Sequence, residues 1–167
     1  MNDKLNTKNL VLPSKLYKAY WLGRYVERVD SVSRALLSAL HSLKHLKSEE
    51  PLMSLADSLG IEFTKHEKFL EEILHGDIPS SILYAVRNMR TNAIGLGIER
   101  LVRESNILVI AVEEKPDLQK IDEVIKHAND VIAAINNMGR VINEEIAPPE
   151  IPEDKRQKQT RHQQQQQ

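Results

Sequence analysis

The stretch "ILVIAV", Ile107 to Val112, decides how the whole chain is read. Its β-branched residues favour a strand by propensity alone. A strand needs a partner, and no second run of this kind occurs in the 167 residues, so the segment reads as helix. On its carboxyl side, Pro116-Asp117 is expected to start a helix. There Leu118, Ile121, Ile125, Ala128, Ile132, Ile135, Gly139, Ile142 and Ile146 recur at three and four, an amphipathic pattern. On its amino side, "PSSI" (Pro79–Ile82) opens another helix with Ile82, Val86, Met89, Ala93, Leu96 and Leu101 on one arc. Gly95 and Gly97 interrupt it, each costing about 1 kcal/mol against Ala in a helix interior. A kink or a complete break is therefore expected near them, and the sequence leaves open which.

Further back, Ser14 follows Pro13 as a good N-cap, and no proline returns until Pro51. One long helix is expected over Lys15–Lys47. Trp21, Leu22, Tyr25, Val26, Val29, Val32, Leu36, Leu37, Leu40 and Leu43 form its apolar arc. Two short helices are expected next. Glu50-Pro51 opens one that stops before Gly60, and "TKHE" (Thr64–Glu67) has the capping-box pattern for one that stops before Gly76. The expected fold class is all-α, a bundle of three long helices plus two short ones over residues 14–146. Residues 1–13 read as an N-terminal extension. Residues 147–167, Pro-rich and then Gln-rich, read as a disordered tail.

Composition narrows the function classes. Aromatics make up 4% of the chain, so the core must be aliphatic. There is no cysteine, which excludes disulfides, thiolate metal sites and a Cys nucleophile. A net charge of -1 argues against a dedicated nucleic-acid binder. The charge is unevenly spread, however: residues 1–47 hold nine Lys/Arg against three Asp/Glu. No apolar run approaches the ~20 residues of a membrane span, and no secretory leader is visible, so a cytoplasmic location is expected.

Catalytic motifs are scarce. Glu72 and His75 have the Glu-x-x-His spacing of di-metal bundles, but such a centre needs two pairs and further carboxylates. His75 reads instead as a cation at a helix end. His41 and His45 stand roughly 20 Å along the helix from Glu27, at 1.5 Å per residue, and read as exposed. Neither metal nor cofactor is expected. One segment remains, "YWLGRYVERVDSVSR" (Tyr20–Arg34), where Arg24, Glu27, Asp30 and Arg34 share a polar arc with the small residues Gly23 and Ser31 and, one turn beyond, Ser38. Arg90 projects into the apolar arc of the Pro79 helix, and a buried Arg requires an acidic partner. Glu27 or Asp30 is the expected one. The cluster reads either as a solvated face or as a functional site.

"LYKAYWLGRYVERVDSVSRALL" (Leu16–Leu37) resembles the signature of the alpha-E domain, a helical family named for a Glu-Arg pair in its first long helix. Glu27-Arg28 stands at that pair, and Ser81-Ile82 through Arg90, Asn92 and Ala93 resembles a second signature. The resemblance implies an all-α fold found beside circularly permuted ATP-grasp ligases. It implies a non-enzymatic accessory partner of such a peptide or amide ligase, or of its peptide substrate. The expected binding residues are Arg24, Glu27, Arg28, Asp30, Arg34, Arg90 and Asn92, with a docking surface around Ser38, His41, Lys44, His45 and Lys47. The alternative is a stand-alone enzyme with Glu27 as general acid/base, or an anion-sensing regulator built on Glu27, Arg24 and Arg90. Self-association is left open.

Overall fold

A computed structural model describes the backbone of residues 2–146 and the side chains of residues 14–146; the expected tail lies outside the described residues. The described backbone is all helical: α1 (Asn2–Leu46), α2 (Glu50–Leu59), α3 (His66–His75), α4 (Ile82–Leu96), α5 (Glu99–Glu113) and α6 (Ile121–Ile146). "ILVIAV" is indeed helical, inside α5. Helices α1, α4, α5 and α6 close a ring in which α1 packs on α4 and α6, and α5 packs on the same two. Neighbours run antiparallel. Lys18 lies over Gly95 while Arg28 reaches Pro79. Val26 lies against Gly139 while Lys44 pairs with Asp122. Arg87 pairs with Glu113 across α4 and α5, and Arg100 with Glu144 across α5 and α6. The fold is thus a four-helix bundle, with α2 and α3 carried in the α1–α4 connection.

The glycine break is complete. Gly97 takes a left-handed conformation (φ 71°), and its N–H closes α4 on the carbonyls of Ala93 and Ile94. Glycine meets no Cβ penalty there, which is why the chain reverses at this point. Gly60 ends α2 in the same way. Ser81 caps α4, its Oγ accepting from the Tyr84 N–H at 3.0 Å and donating to the Gly76 carbonyl at 2.6 Å.

Three expected starts are corrected. Helix α1 begins at Asn2 rather than at Ser14, running through Pro13. The proline removes one N–H but does not end this helix. Thr64–Glu67 forms no capping box, because the N-cap of α3 is Lys65, without a side-chain cap bond. Asp117 does not open α6 either. Its Oδ1 accepts from the Gln119 N–H at 3.0 Å in a local turn, and α6 starts four residues later.

The core is one continuous aliphatic cluster. From α1 it takes Leu22, Val29, Leu36 and Leu40, all at or below 1% exposure, and from α3 Phe69, Leu70, Ile73 and Leu74. Helix α6 buries Val124, His127, Ala128, Val131, Ile132, Ile135, Met138 and Val141. That face keeps Ala128, Ile132 and Ile135 of the expected arc, with Ile125, Ile142 and Ile146 half-buried beside it. It is wider than the isoleucines suggested because α6 must face α1 and α5 at once.

Candidate functional site

The Tyr20–Arg34 charges are a surface array, not a buried network. Arg24 Nη1 meets Glu27 Oε2 at 3.1 Å and Arg34 Nε meets Asp30 Oδ1 at 2.9 Å, both along α1 itself. The Glu27 side chain is 69% exposed and that of Arg24 57%. Exposed helical pairs of this kind contribute about 0.3–0.5 kcal/mol each. Among the described residues Arg90 makes no ion pair, and the expected bond to Glu27 or Asp30 is absent. The cause is rotation. Asn88 and Asn92 line the α1–α4 groove. Arg90 is two residues from each, about 200° round the helix, and so faces away from α1.

Arg28 has a distinct partner. Its Nη2 donates to the Pro79 carbonyl at 3.0 Å. Pro79 belongs to the connection that Ser81 folds against Gly76, and Ser80 Oγ donates to the Leu59 carbonyl at 3.0 Å. Arg28 therefore fastens α1 to the turn from which α4 starts. Arg34 Nη2 reaches Asn136 Oδ1 on α6 at 3.4 Å, a weaker link. The chain holds a second Glu-Arg pair, Glu99-Arg100, that sequence reading passed over. Arg100 Nη1 lies 2.7 Å from Glu144 and 3.3 Å from Glu145, and the Glu144 hydrogen bond above all raises its pKa. Both arginines are thus inter-element ties.

What stands out on α1 is aromatic. Tyr17, Trp21 and Tyr25 recur every four residues, so their rings follow one line up the helix. Ring centroids are 6.1 Å apart for Tyr17 and Trp21, and 6.0 Å for Trp21 and Tyr25. Tyr20 meets the Trp21 edge at 5.5 Å. Tyr17 is 63% exposed, Tyr20 60% and Trp21 39%, which corrects the assignment of Trp21 to the apolar arc. A cleft of ≈ 320 Å³ lies on one side of the row, lined by Trp21, Arg24, Tyr25, Glu27, Arg28 and Ser31. A second, of ≈ 300 Å³, lies on the other side, where Tyr17, Trp21 and Tyr25 face Asn88, Thr91 and Asn92 of α4. Of the expected binding residues, the clefts bring together Arg24, Glu27, Arg28 and Asn92; Asp30, Arg34 and Arg90 line neither.

Gly23 does not mark a close approach. A Cβ built there meets nothing within 4 Å. Gly23→Ala is expected to stabilise the bundle by about 0.5–1 kcal/mol, the usual gain for replacing an unconstrained helical glycine. A urea midpoint no higher than wild type would show that the glycine has a role outside the folded monomer.

Among the described residues no group of three or more His, Asp or Glu is arranged to hold a metal ion. His75 Nε2 lies 2.6 Å from the Val112 carbonyl, so the ring serves the last turn of α5. His41 and His45 are parallel, 5.8 Å apart between centroids. The histidine that sequence reading missed is His127, 5% exposed, with Nε2 enclosed and without a hydrogen-bond partner among the described residues. Its ring lies 5.8 Å from His75, at the edge of a ≈ 240 Å³ cleft with Glu114, Glu123 and Asp130. Burial lowers its pKa, with His75 adding to the effect. The signal was present, since Val124, His127, Ala128 and Val131 follow the i, i+3, i+4, i+7 spacing of a buried face.

No curated protein and no solved structure matches the chain. The model of the Alpha-E family, described as "a predicted alpha-helical domain with a conserved ER motif", matches residues 13–104. Those residues include α2, α3, α4, both clefts beside Trp21 and both Glu-Arg pairs, and they make up more than half of the sequence. The chain belongs to the Alpha-E family.

Proposed function

We propose that this chain is a non-enzymatic accessory module that docks on an ATP-grasp-type peptide or amide ligase through the aromatic face of α1, in the cytoplasm. The ligase comes from the resemblance of Leu16–Leu37 to a signature found beside such enzymes. The surface comes from one observation: Tyr17, Tyr20 and Trp21 stay open to solvent side by side on α1, with Leu16 exposed next to them. Aromatic residues beside arginine are what protein interfaces select for their cores. We place the docking surface here rather than around Ser38, His41, Lys44, His45 and Lys47 because that end of α1 carries no Trp or Tyr. The enzyme and anion-sensor readings lose one of their three residues, because Arg90 is turned away from Glu27 and Arg24. Glu27 also lacks the enclosed setting of a general acid or base.

The test is a pull-down from the native cell, with bound proteins identified by mass. Recovery of an ATP-grasp ligase is expected below about 0.15 M salt, weakening above it because α1 carries five Lys/Arg against two Asp/Glu between Ser14 and Arg34. Trp21→Ala should abolish recovery, whereas Lys44→Glu should not. ATP-dependent product from the isolated chain would overturn the accessory reading.

A further inference from the structure

The two clefts beside Trp21 share a wall. Trp21 and Tyr25 line both, so a ligand lying across the row can use the guanidinium side and the α4 side together. We propose that this groove binds an extended acidic peptide segment of the partner protein. Side chains of the segment rest on Tyr17, Trp21 and Tyr25, its backbone pairs with Asn88 and Asn92, and a carboxylate sits on Arg28 and Arg24. The inference rests on the docking reading above and names what that surface recognises.

Each wall supports the assignment. An extended peptide brings unpaired N–H and C=O groups that need both donors and acceptors, and a carboxamide supplies both. Among the described residues no side-chain hydrogen bond engages the Asn88 or Asn92 amide, whereas Thr91 between them spends its hydroxyl on the Arg87 carbonyl at 3.1 Å. A docking helix would satisfy its own backbone and leave these amides unused. The floor is aromatic, and planar rings accept aliphatic and planar side chains alike at low entropic cost.

The charge sets the sign of the ligand. The one carboxylate lining the two clefts is Glu27, and Arg24 already pairs with it in an exposed ion pair of the weak kind. An incoming carboxylate can take Arg24 from Glu27 at little loss. Arg28 is better prepared. Its bond from Nη2 to the Pro79 carbonyl holds the guanidinium in place, and the remaining N–H donors stay available for a carboxylate. Less side-chain freedom is then lost on binding. A basic peptide would meet two guanidinium groups and a spent carboxylate.

Trp21 is the one tryptophan in the chain, so its emission reports on the groove without a label. The probes are acetyl-Glu-Glu-Leu-Glu-Glu-amide, its lysine counterpart, and free glutamate at equal carboxylate concentration. The glutamate peptide should change Trp21 emission saturably and bind about tenfold or more tighter than the lysine peptide or free glutamate. Asn92→Ala, which breaks no intramolecular side-chain bond, should weaken the peptide about threefold or more. Arg28→Lys should weaken it further by removing the planar fork while keeping the charge. An equal response to the lysine peptide, an equal response to free glutamate, or full affinity in Asn92→Ala would each overturn the proposal. Ligase capture that needs Trp21 while the peptide stays silent would overturn this inference and leave the docking reading standing. Peptide binding without ligase capture would do the reverse.

Discussion

Phe69→Ala is expected to cost about 3–5 kcal/mol, the largest single effect in this domain. Phe69 has no exposed surface, and its ring packs at 47° on that of Phe63, 5.7 Å away. Helix α3 has ten residues, too few to persist alone in water. What holds it is one face, Phe69, Leu70, Ile73 and Leu74, set against α4 and α5. Removing the phenyl ring opens a cavity where α3 joins the four-helix ring. With a urea slope of roughly 2 kcal/mol per molar for a domain of this size, the midpoint should fall by about 2 M. Leu46→Ala, at a side chain 74% exposed, should leave the midpoint within experimental scatter. If Phe69→Ala moved the midpoint by less than about 0.5 M, α3 would not belong to the cooperative unit.

Acid should weaken the bundle through His127. Burial disfavours its charged form, and the charge of His75 adds to that; Lys126 of α6 acts the same way, while Glu114 and Asp130 act against it. The folded-state pKa therefore lies below the ordinary histidine value of about 6.5 that the unfolded chain retains. Above that value neither state takes up the proton and stability is level. As pH falls below it, the unfolded chain binds a proton that the folded one refuses, and stability drops until the folded pKa is passed. The slope in that window reaches at most about 1.4 kcal/mol per pH unit. His127→Phe should remove the decline between about pH 6.5 and 5, because the replacement cannot take up a proton. It also deletes a buried nitrogen that has no partner among the described residues. Urea midpoints for both proteins across pH 5–8 decide the matter, and parallel curves would show that another group carries the acid response.

The helical class and most of the stops were legible because their causes are local. Gly60 and Gly97 end helices by admitting a left-handed turn, Pro51 opens α2, and Ser81 bonds a backbone N–H three residues on. Interactions that span three or four residues leave their mark in three or four residues of sequence. The same short range explains the failures. Thr64 and Asp117 have the right chemistry for a helix start, yet a turn two residues away suits Asp117 equally well. The aromatic spacing of Tyr17, Trp21 and Tyr25 was visible, but a large ring at helical spacing serves equally in a core or on a surface.

Sequence by itself determined the all-α class and the absence of any thiol chemistry, and it marked Gly95 and Gly97 as an interruption; that the helix breaks there completely is a finding of the structure. Tertiary structure alone decided where each helix points. The rotation of α4 about its axis is set by apolar seams on two sides, because it packs on both α1 and α5. That rotation turns Asn92 toward Trp21 and Arg90 away from Glu27. The rotation of α6, which packs on α1 and α5 together, buries His127 beside His75. These angles come from fitting four helical surfaces together at once, a property of the assembled ring that no single segment carries.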